Sequence, residues 1–168
     1  MTDAHAIKSD VPRLTAVLIG VISAATLAGA WIFQGFGIVP CELCLKERIA
    51  YYGAVPLAAI VAYAASGRAR PIAAAGLVGL AIIFAVNAGL GVYHSGVEWA
   101  FWPGPNDCTG AITTAPKVAD FLKELEHTKV VRCDEVQIRV IGLSLANWNV
   151  VISAALAAFA ARAAIWRD

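Results

Sequence analysis

Four cysteines are the residues of this chain whose type and spacing could do chemistry. Cys41 and Cys44 form a Cys-x-x-Cys pair within Pro40-Cys41-Glu42-Leu43-Cys44-Leu45-Lys46-Glu47-Arg48, while 24 residues separate Cys108 from Cys133. Two close thiols support either a metal centre or a dithiol/disulfide couple. A structural zinc site wants four soft ligands in a closed tetrahedron, usually from two such pairs or from a pair plus histidines. No second close pair exists here, and His94 and His127 are the only histidines in the region. No metal is therefore expected. A redox couple needs less: two neighbouring sulfurs and something to stabilise a thiolate.

The surrounding residues supply that. Cys44 lies at or just before the start of an apolar segment, where free backbone N–H groups and the helix dipole favour negative charge. Arg48 follows four residues on, on the same helical face, and is permanently cationic. It could also bind the anionic, reduced form of an electron acceptor; the blander role is an interfacial anchor. Glu42, between the cysteines, pulls against the thiolate, and Lys46 and Glu47 read as a solvated helix start. An acceptor is required, because disulfides pass oxidising equivalents by exchange but do not create them. The chain has no haem Cys-x-x-Cys-His, no dinucleotide glycine fingerprint and no iron–sulfur spacing. An acceptor dissolved in a bilayer would need none of these.

The elements that must position these sulfurs are membrane spans. Hydrophobic residues make up 60% of the chain and charged ones 15%, against about 45–50% and about 25% in soluble domains. A soluble domain of 168 residues could not hide that much apolar surface, so lipid is part of the solvent. A net charge of +1 gives no electrostatic case for nucleic acid. The expected fold class is all-α: one integral membrane domain with spans at about 14–33, 49–66, 72–93 and 143–161. Each is close to the roughly 20 residues needed to cross a hydrocarbon core. Ala28-Gly29-Ala30 resembles a signal-peptide cleavage site. The apolar run nevertheless continues through Trp31, Ile32, Phe33 and Phe36 to Val39, so a retained first helix is expected. Pro56 lies inside the second span, where a membrane helix tolerates it. Asn87, the polar exception of the third, is expected to make an interhelical hydrogen bond.

Four spans put both termini on one side and both cysteine-bearing loops, about 34–48 and 94–142, on the other. In the long loop, Val118, Phe121, Leu122 and Leu125 recur at helical spacing after Pro116, predicting a short amphipathic helix. Lys and Arg number six on the termini and the Arg68/Arg70 turn, and seven on the cysteine loops. The long loop dilutes its share with acids, whereas the short turn has none, and density in short loops is what orients a chain. This places the termini in the cytoplasm and the cysteines in an oxidising space such as a bacterial periplasm. One pair at the membrane surface and two further cysteines on a polar loop suggest a relay: soluble partner, loop cysteines, membrane cysteines, lipid-soluble acceptor.

At this point the chain resembles the DsbB family of disulfide-bond-forming membrane proteins. The resemblance is carried by Pro40-Cys41-x-x-Cys44-x-x-Glu47-Arg48 after a first span, Tyr93-His94 closing the third, and one cysteine on each side of the long loop. Gly142-Leu143-Ser144 and Trp148-Asn149 at the fourth span add to it. Vitamin K epoxide reductase relatives share a four-helix core but place their Cys-x-x-Cys late in the chain. The DsbB resemblance implies redox pairs Cys41–Cys44 and Cys108–Cys133, with ubiquinone or menaquinone as acceptor and Cys44 as the thiolate facing the ring. Arg48 would stabilise that thiolate and the reduced quinone, and His94 would lie near the quinone. Cys108 would be attacked by a reduced, DsbA-like soluble partner of thioredoxin fold, releasing Cys133 to pass electrons to Cys41. So strongly oxidising a partner requires an acceptor of higher potential, which a respiratory quinone provides. The implied location is the bacterial inner membrane. Glu42 departs from the neutral residue expected between the cysteines. Two other readings stay open: a non-enzymatic membrane protein braced by loop disulfides, and a DsbI-like paralogue with a dedicated partner.

Overall fold

Four long apolar runs become four helices, in a computed structural model that describes residues 2–67, 69–105 and 132–165. They are α1 (Thr2–Gly35), α2 (Glu42–Ala65), α3 (Arg70–Glu98) and, after a short two-stranded ladder, α4 (Leu145–Ile165). Each is long and apolar enough to cross a membrane. Contacts run mainly α1 to α2, α2 to α3 and α3 to α4, with a thinner α1–α4 contact closing the ring. The chain is a multi-pass membrane protein, an all-helical four-span bundle.

Its inside is built from small and medium residues. Ala16, Ala54, Ala58, Ala73 and Ala160 are buried beside Ile19, Leu77, Leu80, Phe84 and Leu156. Lipid offers little hydrophobic drive between helices, so close backbone approach matters most. Gly91 marks one such approach: a Cβ there would stand 2.9 Å from Val150 Cγ2. The outward residues are equally apolar, with Leu14, Val21, Ile60, Ile82, Val86 and Phe159 all exposed. That is the surface of a bundle solvated by hydrocarbon. Asn87 makes the expected interhelical bonds, donating from Nδ2 to Asn149 Oδ1 and to Ser153 Oγ, each at 3.0 Å. Tyr51 donates to the same Asn149 oxygen at 2.7 Å.

The helices overrun the apolar segments that predict them. α2 starts at Glu42 rather than near Ile49, so the cysteine pair sits in its first turn instead of in a loop before it. α3 continues past His94 to Glu98. Hydropathy marks where lipid ends, but a helix goes on while its backbone bonds are made, and charged residues are good helix formers. At the other boundary the expected start at Leu143 moves later. Arg139–Val140 (β1) and Leu143–Ser144 (β2) pair antiparallel around Ile141-Gly142, and only then does α4 begin. Both turn residues have positive φ, 53° and 82°, as a tight hairpin turn that follows strand twist demands. Ser144 then caps α4, its Oγ accepting from the Asn147 N–H at 3.2 Å. The amphipathic helix expected after Pro116 lies outside the described residues.

α3 ends in a Schellman arrangement. The Phe101 N–H reaches the Gly96 carbonyl at 2.9 Å and the Ala100 N–H reaches that of Val97 at 3.1 Å. Ala100 takes φ 57°, the left-handed position usually given to glycine. The turn folds Trp102 back over α3, where its Nε1 donates to the Tyr93 carbonyl at 2.8 Å.

Candidate functional site

Cys41 is the N-cap of α2. The Cys44 backbone N–H donates to Cys41 Sγ at 3.3 Å, so a sulfur occupies the place where Ser, Thr, Asp or Asn usually caps a helix. The helix dipole and the free N–H groups of the first turn therefore act on Cys41. Both thiols are free, and a hydrogen bond joins the two sulfurs at 2.9 Å. The sulfurs stand too far apart for an S–S bond of about 2.05 Å.

Below the pair lies His94, buried on α3. Its Nε2 stands 3.6 Å from Cys41 Sγ and its Nδ1 is 2.9 Å from Glu47 Oε1. The Cys41 thiol is consequently held well below its ordinary range. The hydrogen bond from Cys44 is the largest cause, burial opposes it, and contacts with His94 and the Cys44 N–H add to the lowering. The anion-stabilising contacts thus converge on Cys41, not on Cys44 as the sequence reading has it. Arg48 has no bond to either sulfur; it donates from Nη1 to Gln34 Oε1 at 3.0 Å and lines the cavity beside Cys44. The difference arises because the helix starts at Glu42, which makes Cys41 rather than Cys44 the residue at its N-terminus.

Glu47 is the functional residue the sequence reading misplaces. It is not solvated; it is 6% exposed. Its position shows why: Leu43, Glu47, Tyr51, Ala54 and Ala58 form one buried stripe of α2 at three- and four-residue spacing. A carboxylate between Leu43 and Tyr51 on such a stripe faces the bundle, and a buried carboxylate needs a partner. His94 is that partner. Lys46 does behave as expected, on the outside, and it answers the Glu42 question as well. Its Nζ lies 3.5 Å from Glu42 Oε1, with both side chains about two-fifths exposed. The acid between the cysteines therefore points away from the sulfurs to a cation on the solvent side.

The end of the long loop returns to this site. Cys133 is 2% exposed and packs in one buried cluster with Cys41, Leu43 and Val97. It is disulfide-bonded, and its partner is neither Cys41 nor Cys44, which are free. Cys108 lies outside the described residues. Gln137 fixes the segment in place, donating from Nε2 to the Val39 carbonyl at 2.7 Å, and Trp148 Nε1 donates to the Val140 carbonyl at 2.9 Å. Between this segment, α1 and the site lies a cavity of about 330 Å³. Leu27, Phe33, Ile38 and Ile152 give it apolar walls, and Cys44, Arg48, His94 and Asn149 give it polar points. Such a mixture suits a flat, mostly apolar ligand with a few hydrogen-bonding atoms. Asn149 Nδ2 is buried with no hydrogen-bond partner among the described residues, a donor available to a carbonyl oxygen.

A family model described as "Disulfide bond formation protein DsbB" matches residues 12–163. No curated protein and no solved structure gives a match. The matched stretch takes in the reduced dithiol on α2, the histidine–carboxylate pair beneath it and the returning loop with its bonded cysteine. The chain belongs to the DsbB family and is a multi-pass membrane protein of disulfide-bond formation.

Proposed function

We propose that this protein is a membrane disulfide-generating oxidoreductase that reoxidises a soluble, DsbA-like thioredoxin-fold protein and delivers the electrons to ubiquinone or menaquinone. The observation that carries the reading is the burial of Cys133 in one cluster with Cys41. A disulfide-bonded loop cysteine packed beside a free dithiol is what a two-stage exchange needs.

A thiolate of the partner attacks Cys108 of a Cys108–Cys133 disulfide, forming a mixed disulfide and releasing Cys133 as a thiolate. With the first pair oxidised, Cys133 attacks Cys41, breaking the Cys41–Cys44 bond and releasing Cys44. The partner's second thiol and Cys108 then resolve the two mixed disulfides, leaving the partner oxidised, Cys108–Cys133 restored, and two electrons and two protons on Cys41 and Cys44. A bound quinone supplies the two-electron, two-proton acceptor that returns this pair to the disulfide. The chain's own residues prepare it. His94 holds a proton between Cys41 Sγ and Glu47 Oε1, Cys44 and Arg48 line the cavity, and its apolar walls exclude water. The bilayer location, with cysteines on the periplasmic side of a bacterial inner membrane and termini in the cytoplasm, rests on the charge of the short Arg68/Arg70 turn.

The test is turnover by purified protein with a soluble quinone analogue and a reduced thioredoxin-like partner. Cys44→Ser should abolish quinone reduction, and Cys108→Ser should block partner oxidation while leaving the first pair oxidisable by quinone. Unchanged turnover in the first variant, or a normal rate with partner in the second, would overturn the assignment.

A further inference from the structure

The reduced site has a second chemistry that electron transfer does not use. Cys41 Sγ, Cys44 Sγ and His94 Nε2 all lie within 4.8 Å of one another. A tetrahedral zinc ion with bonds of about 2.3 Å to sulfur and about 2.0–2.1 Å to nitrogen sets its ligand edges at roughly 3.8 Å for S···S and roughly 3.6 Å for S···N. The Cys41–His94 edge, 3.6 Å, already has that length. The sulfur–sulfur edge, 2.9 Å, has to open by roughly 0.9 Å to reach the tetrahedral value.

The imidazole is also set for a metal. Its Nδ1 is engaged by Glu47 Oε1 at 2.9 Å, which turns Nε2 toward the sulfurs. A carboxylate behind a histidine in this way fixes the ring and raises its basicity as a ligand. Three protein donors leave a fourth position open, on the side where Cys44 and His94 line the cavity. Two thiolates and an imidazole are soft to borderline donors, which favour zinc strongly over magnesium or calcium.

We propose that the reduced Cys41–Cys44 pair and His94 form a redox-gated zinc site, present only while both sulfurs are thiols or thiolates. The ion takes two thiolates and a neutral imidazole, the displaced protons go to solvent, and no electron moves. Oxidation to the disulfide removes two of the three donors and expels the metal. Zinc therefore holds the pair reduced and stops its reoxidation. The site rests on the dithiol–histidine geometry alone and is separable from the relay.

Cobalt(II) is the probe, because thiolate ligation gives it an ultraviolet charge-transfer band and a tetrahedral site gives it intense visible bands. In full-length Cys108→Ser/Cys133→Ser protein, kept anaerobic and reduced, one equivalent of Co²⁺ should produce both, and Zn²⁺ should bleach them. The same protein oxidised should give neither. His94→Ala should weaken binding, and Glu47→Gln should weaken it by about 10–100-fold while keeping the charge-transfer band, since it acts through the ring. Identical spectra in oxidised and reduced protein, or unchanged affinity in His94→Ala, would overturn the site. Wild-type protein gives an answer that does not depend on the double variant. Zn²⁺ should shield Cys41 and Cys44 from thiol labelling; shielding confined to Cys108 and Cys133 would overturn the proposal. A protein that binds Co²⁺ this way yet oxidises no partner keeps the site and loses the relay.

Discussion

Two buried polar clusters sit on the same helices of this bundle, and they are built to different ends. Toward the centre, Tyr51, Asn87, Asn149 and Ser153 join α2, α3 and α4 through amides and hydroxyls alone. One or two turns away, Glu47 and His94 join the same α2 and α3, but with groups that gain and lose protons, and with a sulfur at the end of the chain of contacts. The central cluster is neutral, and its oxygens are shared among several donors, so it holds helices together where lipid would not. Both clusters touch the cavity, through Tyr51 and Asn149 in the one and Glu47 and His94 in the other, but only the outer one contacts the Cys41 sulfur. Polar residues in a membrane bundle are therefore not one category. What separates the two here is an imidazole and a carboxylate in contact with a thiol.

Three substitutions test that contrast. The largest effect should come from His94→Gln, which keeps a polar group but removes the ring. General acid–base partners are worth about 10²–10⁴-fold, and we expect a loss of about 100-fold in the rate of quinone reduction. A second readout separates chemistry from damage. With the Cys41 pKa lowered, its thiolate persists as pH falls below the ordinary thiol range, so in reduced Cys108→Ser/Cys133→Ser protein ultraviolet thiolate absorbance should stay nearly flat from about pH 8 to about pH 6. In His94→Gln the absorbance should fall across more of that interval. An unchanged profile would show that the histidine does not sustain the anion.

Asn87→Leu comes next and should do the reverse, costing stability and sparing rate. It removes two interhelical bonds, each worth about 0.6 kcal/mol on average and up to about 1.7 kcal/mol in membrane bundles. A loss of about 1–2 kcal/mol in detergent unfolding with turnover unchanged would uphold the contrast, and a large rate loss would merge the two clusters. Ser153→Ala should cost least, about 0.6 kcal/mol, because Tyr51 and Asn87 both still reach Asn149 Oδ1. A cost above about 2 kcal/mol would mean that the serine carries more than its share.

The spans were legible in the sequence because hydropathy over 20 residues integrates a large signal, and the dithiol because Cys-x-x-Cys is rare and local. Other features depended on contacts that no local signal reports. Which cysteine caps α2 turns on where the helix starts, and a shift of a few residues exchanges the roles of Cys41 and Cys44. Glu47 reads as solvent-facing when judged by its charge and by Lys46 and Arg48 beside it. Judged by its spacing from Leu43 and Tyr51 it faces inward, so the information was present and the weighting was wrong. The hairpin before α4 had half a signal, Gly142; a β-branched Ile141 at positive φ is a conformation that residue rarely adopts. The closeness of Cys133 to Cys41 is long-range, and only the assembled bundle reveals it.

The bond from Gln137 to the Val39 carbonyl bears on kinetics as well as on packing. It pins the returning chain two residues before Cys41, leaving four residues of tether to Cys133. A flexible tether of that length has a root-mean-square reach of only about 10–12 Å. A thiol confined so closely meets its target at an effective concentration of millimolar or more. In the proposed relay Cys133 is thus delivered by its own chain, and the inner exchange does not depend on diffusion. The proposed soluble partner, by contrast, would have to find the protein anew on every cycle, which would make encounter the step most open to dilution and salt.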